Sequence, residues 1–222
     1  KDLETAFAYR NALLCGLHGI RFTMESYKGF LPEIAKPYCS AFNNAFKLPD
    51  VKANSGQKQG RKRIVNVGGL KAQNKNGTVL AKAFALLKDD FPDWSVDFYG
   101  KNNLKDFDNI VNENKMHERV KFHGPSSDIY SAYAQSHIHV ICSFEEGCPN
   151  VVCEAMLHGL PTIGYSDCAG TNELVKNNIN GLLIDRDKEV ENLAAALRTL
   201  MSDAELRQRL GDNAQQEAFE RF

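Results

Sequence analysis

From Arg63 onward the chain alternates short β-rich runs with helical segments, and that rhythm limits the fold more than any other feature. Residues 64–67 form a β-rich run that halts at Gly68-Gly69, and residues 78–87 repeat apolar side chains at helical spacing (Val79, Leu80, Ala83, Leu86, Leu87). Residues 95–99, 120–122, 137–143, 162–165 and 182–184 read as further strands. Helices are expected over 128–134, 150–158, from Thr171 onward, over 189–201 and over 204–219, with a polar helical stretch before Val120. The helix over 150–158 begins after Pro149 and stops at Gly159-Leu160-Pro161, matching the usual stop signals. Parallel strands need crossover connections, so about six strands alternating with helices give an α/β fold, a parallel sheet with helices on both faces. Ligands of such sheets bind outside the carboxyl ends of the strands, which singles out the loops after Val67, Tyr99, Phe122 and Ser143.

Residues 1–62 break the pattern. A helix is expected over 3–17, a strand-like run over 20–24 and a helix near 26–31, while the polar stretch 49–60, rich in Gln, Lys and Gly, reads as a linker. Arg61-Lys62-Arg63 reads as its solvated end, because no aromatic or further basic cluster supports a nucleic-acid contact. A formal net charge of −1 gives no global attraction to nucleic acid or to an anionic membrane. The longest apolar runs, such as 138–142 broken by His139, are too short to span a bilayer. Lys1-Asp2-Leu3-Glu4 reads as a charged, helix-like opening and not as a signal peptide. Cys15, Cys39, Cys142, Cys148, Cys153 and Cys168 contain no C-x-x-C pair, so reduced, semi-buried thiols in a reducing cytosol are expected. Cys148, Cys153 and His158 fit no common zinc spacing. His137 and His139 alternate along a strand and read as packing or rim residues.

The stretch that carries chemistry is Ser143-Phe144-Glu145-Glu146-Gly147-Cys148-Pro149-Asn150-Val151-Val152-Cys153-Glu154-Ala155-Met156. A strand ends, Gly147 and Pro149 make a tight turn, and a helix begins. Backbone N–H groups around Asn150, Val151 and Val152 are expected to face the cleft, where unpaired donors and the helix dipole bind phosphate without a side chain. Glu154, one turn in, offers a carboxylate able to accept both hydroxyls of a ribose diol. Glu146 sits before the turn, where a sugar hydroxyl could meet it. Spacing alone does not separate this from two glutamates placed for helix stability.

The whole string does separate them. Residues 146–156 followed by Gly159-Leu160-Pro161 resemble the E-x7-E signature of family-4 glycosyltransferases with the GT-B fold. The resemblance continues in Val67-Gly68-Gly69-Leu70 with Lys75, in Arg119-Val120-Lys121-Phe122-His123-Gly124 and in Asn180-Gly181-Leu182-Leu183, covering roughly residues 63–200. It implies the donor-binding half of two facing Rossmann-like domains. Residues 1–48 would be a partial end of the amino-terminal acceptor-side domain, 49–62 a linker and 63–222 the nucleotide-sugar-binding domain. It also implies transfer of a sugar from a nucleotide diphosphate donor, UDP above others, with retention and without a metal or other cofactor. Carried over by position, Glu154 binds the ribose, Glu146 the sugar hydroxyls, and Lys75 faces the diphosphate. Gly147, Cys148, Pro149 and Asn150 offer contacts to sugar and phosphate, joined by Gly68 and Gly69, while His123 and Gly124 lie beside the base. The implied partners are the donor and a glycan, lipid-linked or small-molecule acceptor, with no nucleic acid, in the cytoplasm or at the inner face of the plasma membrane. The isolated chain is expected to be inactive in transfer.

Two positions depart from the pattern. Gly69 stands where the family commonly has arginine, which leaves Lys75 as the side-chain cation committed to the diphosphate. Cys148 stands where an aromatic residue is frequent. A non-catalytic nucleotide-sugar-binding module and a sugar-nucleotide epimerase of the same fold remain alternatives. A dehydrogenase is disfavoured, because G-x-G-x-x-G is absent.

Overall fold

The structure, a computed structural model, describes residues 20–41, 44–68, 75–101 and 105–222. The helix expected over 3–17 lies outside them. The chain divides into two compact units, residues 1–45 with Phe222, and residues 46–221. In the first, strands β1 (Ile20–Phe22) and β2 (Cys39–Ala41) pair in parallel. They are joined by two 3-10 turns, Glu25–Phe30 and Glu33–Tyr38. The strand-like run therefore stops at Phe22, and the second turn and β2 are absent from the sequence reading. Cys39-Ser40-Ala41 carries no β-branched side chain, so nothing local announces a strand there.

The second unit carries one parallel sheet. Its strands are β3 (Lys62–Val67), β4 (Trp94–Tyr99), β5 (Val120–Phe122), β6 (Ile138–Val140), β7 (Thr162–Tyr165) and β8 (Gly181–Ile184). Helices α1 (Thr78–Ala85), α2 (Lys105–Glu113), α3 (Ile129–Ala134), α4 (Asn150–Leu157), α5 (Ala169–Leu174), α6 (Glu189–Ser202) and α7 (Ala204–Arg221) alternate with them and close the chain. The spatial order is β5-β4-β3-β6-β7-β8, every neighbour parallel. This is the doubly wound order of a Rossmann-like sheet, with its topological switch between β3 and β6. At such a switch point successive crossovers lie on opposite faces of the sheet, which opens a crevice at the carboxyl ends of the two strands.

Burial explains why the elements hold. Ile64, Val96, Phe98, Ile138, Val140 and Ile163 of the strands are buried together with Leu80 and Phe84 of α1 and Leu197 and Leu200 of α6. Each large side chain removed from water contributes about 1.5–3 kcal/mol. Helix α4 ends as its sequence signals require. Gly159 adopts φ +73°, and the N–H groups of Gly159 and Leu160 return to the carbonyls of Met156 and Ala155 at 2.9 and 3.0 Å. That closure needs a left-handed residue, which glycine supplies without strain.

The segment expected as a linker is held against its own unit. Arg207 on α7, only 1% exposed, donates to the carbonyls of Ser55 (2.9 Å), Gln57 (2.7 Å), Leu200 (2.6 Å) and Met201 (3.2 Å). Gly56 N–H donates to Gln208 Oε1, and Ala53 N–H to the His158 carbonyl. A stretch of irregular backbone is fixed in this way because a buried guanidinium with five donors satisfies carbonyls that no strand would. Its polar composition masks the docking. The described part of the chain also contains no helix long and apolar enough to cross a membrane.

Candidate functional site

The crevice between the loops after β3 and β6 brings two of the expected residues into contact. Lys75 Nζ lies 2.5 Å from Glu146 Oε1, an ion pair between side chains far apart in sequence. Asn76, just after Lys75, takes φ +44° and donates through Nδ2 to Glu189 Oε2 at the start of α6 (2.8 Å). Tyr165 Oη donates to the same carboxylate oxygen at 2.8 Å. Burial raises the Tyr165 phenol well above its ordinary value, and Glu189 adds to the shift, so the phenol keeps its proton and remains a donor. The turn bearing Lys75 is thereby anchored to β7 and α6.

On the opposite lip, Gly147 and Glu146 are seated by α5. An added Cβ at Gly170 would lie 2.5 Å from the Gly147 carbonyl oxygen and 2.6 Å from that of Glu146. Only a glycine allows that approach of backbone to backbone. Arg186 also braces this loop, donating to the Phe144 carbonyl at 3.2 Å and to Asp167 at 2.6 Å.

Helix α4 begins at Pro149 with no side-chain cap. The expectation for Val152 needs correction: its N–H donates to the Pro149 carbonyl at 2.9 Å, and its side chain is fully buried. The tight first turn consumes that amide, so any phosphate contact belongs to the residues before it. Cys148 is half-buried, and the ionisation of Cys153 is pushed up by burial first and by Cys148 next. Glu154 is partly buried, and burial raises its carboxyl above the ordinary range, opposed by a hydrogen bond from Tyr133. Tyr133 Oη lies 3.1 Å from Glu154 Oε2 and 3.3 Å from the Val151 carbonyl.

A second group of expected residues gathers at the ends of β3, β4 and β5. Gly68 N–H donates to the Tyr99 carbonyl and Gly100 N–H to the Gly124 carbonyl. Among the described residues nothing occupies the space where a side chain would stand at Gly68 (φ +129°) and Gly124 (φ +71°), so their backbone is open to a ligand on that side. His123 stacks on Tyr99 with ring centroids 4.6 Å apart and 10° between planes. Its Nε2 is 2.7 Å from Asp97 Oδ1, which fixes the ring's orientation. Gly69 lies outside the described residues. Among the described residues no three His, Cys, Asp or Glu side chains group as a metal site.

The model of the family described as "Glycosyl transferases group 1" matches residues 49–217. The chain belongs to that family. Among its relatives, an uncharacterized glycosyltransferase of Haemophilus influenzae is 30% identical over 157 residues, 69% of this chain and 43% of that protein. A Campylobacter jejuni enzyme named N-acetylgalactosamine-N,N'-diacetylbacillosaminyl-diphospho-undecaprenol 4-alpha-N-acetylgalactosaminyltransferase is 27% identical over 204 residues, 88% of this chain and 54% of its own length. The chain thus spans about half the length of these relatives. In structure it resembles Anabaena HepE in complex with UDP, with a TM-score of 0.82, 20% identity, and coverage of 99% of this chain and 64% of the other. That likeness shows the fold shared by this group 1 domain and the GT-B glycosyltransferases.

Several residues that shape the candidate site have no motif of their own. Tyr133, Asn76, Tyr165, Glu189, Gly170 and Arg186 act through contacts between distant elements. The one local signal is Gly170, a glycine in the first turn of a short helix, where propensity disfavours it.

Proposed function

We propose that this chain holds the nucleoside-diphosphate sugar, UDP-linked above others, for a family-4-type transfer that retains configuration and uses no metal. The observation that carries the reading is the Lys75–Glu146 pair at the β3/β6 switch, beside the uncapped start of α4. A diphosphate placed there takes the Lys75 ammonium as counter-charge, together with the positive end of the helix dipole. As the bond from sugar to diphosphate lengthens, negative charge grows on the leaving oxygen and Lys75 stabilises it. Glu146, relieved of the ammonium, accepts hydrogen bonds from sugar hydroxyls, and Glu154 accepts from the ribose diol. Gly68, Gly124 and His123 line the approach of the base. Retention is supported by the resemblance of residues 146–156 to the E-x7-E signature.

The domain assignment belongs to the same reading: residues 1–48 as the end of an acceptor-side domain, 63–222 as the donor domain. A lipid-linked or glycan acceptor at a membrane face is supported by the undecaprenol-diphosphate acceptor in the name of the Campylobacter relative. Calorimetric titration with UDP in the presence of EDTA is the test. Binding is expected without magnesium and is expected to fall sharply in Glu154→Gln, by about 1.5–3 kcal/mol for the loss of a charged acceptor. Unchanged affinity in that variant would remove Glu154 from the site.

A further inference from the structure

We infer that Tyr133 is a positioning residue for donor binding, holding the Glu154 carboxylate in the orientation that receives the ribose diol. The inference rests on the assignment of Glu154 to the ribose and adds the residue that aims it. Tyr133 is on α3, in a different βα unit from Glu154, and is fully buried. Its ring is fixed by His158 at 5.2 Å and by the edge of His139 at 6.0 Å, so the hydroxyl has one place to be.

That hydroxyl carries one proton and faces two acceptors, Glu154 Oε2 at 3.1 Å and the Val151 carbonyl at 3.3 Å. Inside a helix the Val151 carbonyl is served by the N–H four residues on, whereas a buried carboxylate gains more from a donor than a neutral carbonyl does. Tyr133 Oη–H therefore donates to Glu154. The consequence for a ligand is geometric. With Oε2 pinned, rotation of the carboxylate stops and Oε1 faces a single direction. A diol then meets an acceptor already oriented and does not have to order it on binding. Burial favours the protonated acid at Glu154, and the Tyr133 bond opposes this, so the same contact keeps the group an acceptor. Tyr130, Cys153 and His158 are its other titratable neighbours, and Tyr130 is held by donating to the Lys47 carbonyl at 3.1 Å.

The test uses Tyr133→Phe, Glu154→Ala and the double variant in the full chain. Each is titrated with UDP and with 2′,3′-dideoxyuridine diphosphate, which has no diol. Tyr133→Phe keeps the packed ring, and its melting is recorded to confirm folding. The expected result is about a tenfold loss of UDP affinity in Tyr133→Phe, unchanged affinity for the dideoxy compound, and no further loss when Tyr133→Phe is added to Glu154→Ala. Equal losses for both ligands would mark Tyr133 as merely structural and overturn the inference. So would parental UDP affinity in Tyr133→Phe while Glu154→Ala is impaired, and that outcome would leave the ribose assignment standing. Parental affinity in Glu154→Ala would overturn that assignment, and the inference with it.

Discussion

Lys75 and Glu146 carry opposite charges into one crevice, and removing either has a distinct signature. Lys75→Ala is expected to weaken UDP binding by about 1.5–3 kcal/mol, the worth of a charged hydrogen bond, and unchanged titration would exclude the turn after β3 from the phosphate site. Glu146→Gln is expected to leave UDP binding intact while lowering affinity for a UDP-sugar by about 1 kcal/mol. The ratio of the two affinities, measured side by side, is the check. Glu146 stands out in the sequence, because the string from Glu146 to Met156 places a turn, a helix start and two carboxylates in one segment, whereas Lys75 is marked only by its place after the strand-end turn at Gly68-Gly69. Tyr133 is not legible. A tyrosine among apolar residues of a short helix reads as core, and its hydroxyl gains meaning only when α3 packs beside α4.

At the scale of the element, α5 is a support for the loop before α4. Gly170→Ala would push its new methyl into the Gly147 and Glu146 carbonyls, where neither partner is a flexible side chain. A loss of about 1–3 kcal/mol in stability is expected from such overpacking, with weaker UDP binding as the loop shifts. Thermal melting with and without UDP measures both, and a parental ligand-induced shift would show the loop unmoved. Arg207→Leu is expected to cost about 3–5 kcal/mol, because it strands buried carbonyls along residues 55–57 and at the end of α6. Accelerated proteolysis within residues 50–61 would accompany it. The helices and strands themselves follow the sequence closely where periodicity decides, as at β7 and α6. The run 137–143 continues past β6 on both sides, so the expected strand exceeds the observed one, Ile138–Val140.

The whole molecule carries a built-in sensitivity to acid. His137 and His139 are buried, and burial lowers their values from 6.5 to about 4 and about 3. Nearby Arg207 and Lys62 add to the shift at His137, and burial also lowers His158. The unfolded chain takes up protons near the ordinary value while the folded chain does not. Stability is therefore complete above that value and declines as pH falls toward 4 and then 3, by about 1.4 kcal/mol per pH unit for each ring. Urea unfolding at pH 7 and pH 5 checks the slope, and equal midpoints would contradict neutral buried rings. The strand order has a mechanical consequence. β3 joins β4 over six register pairs, from Lys62↔Trp94 to Val67↔Tyr99, but joins β6 over two, Ile64↔Ile138 and Val65↔His139, extended by the His137 N–H on the Arg63 carbonyl. The sheet is thus two leaves sewn along a short seam, closed further by Asn66 donating to the Val140 carbonyl and by Lys75 on Glu146. A ligand seated across that seam acts as a rivet, and slowed amide exchange in both leaves would follow its binding, although it touches only their rims.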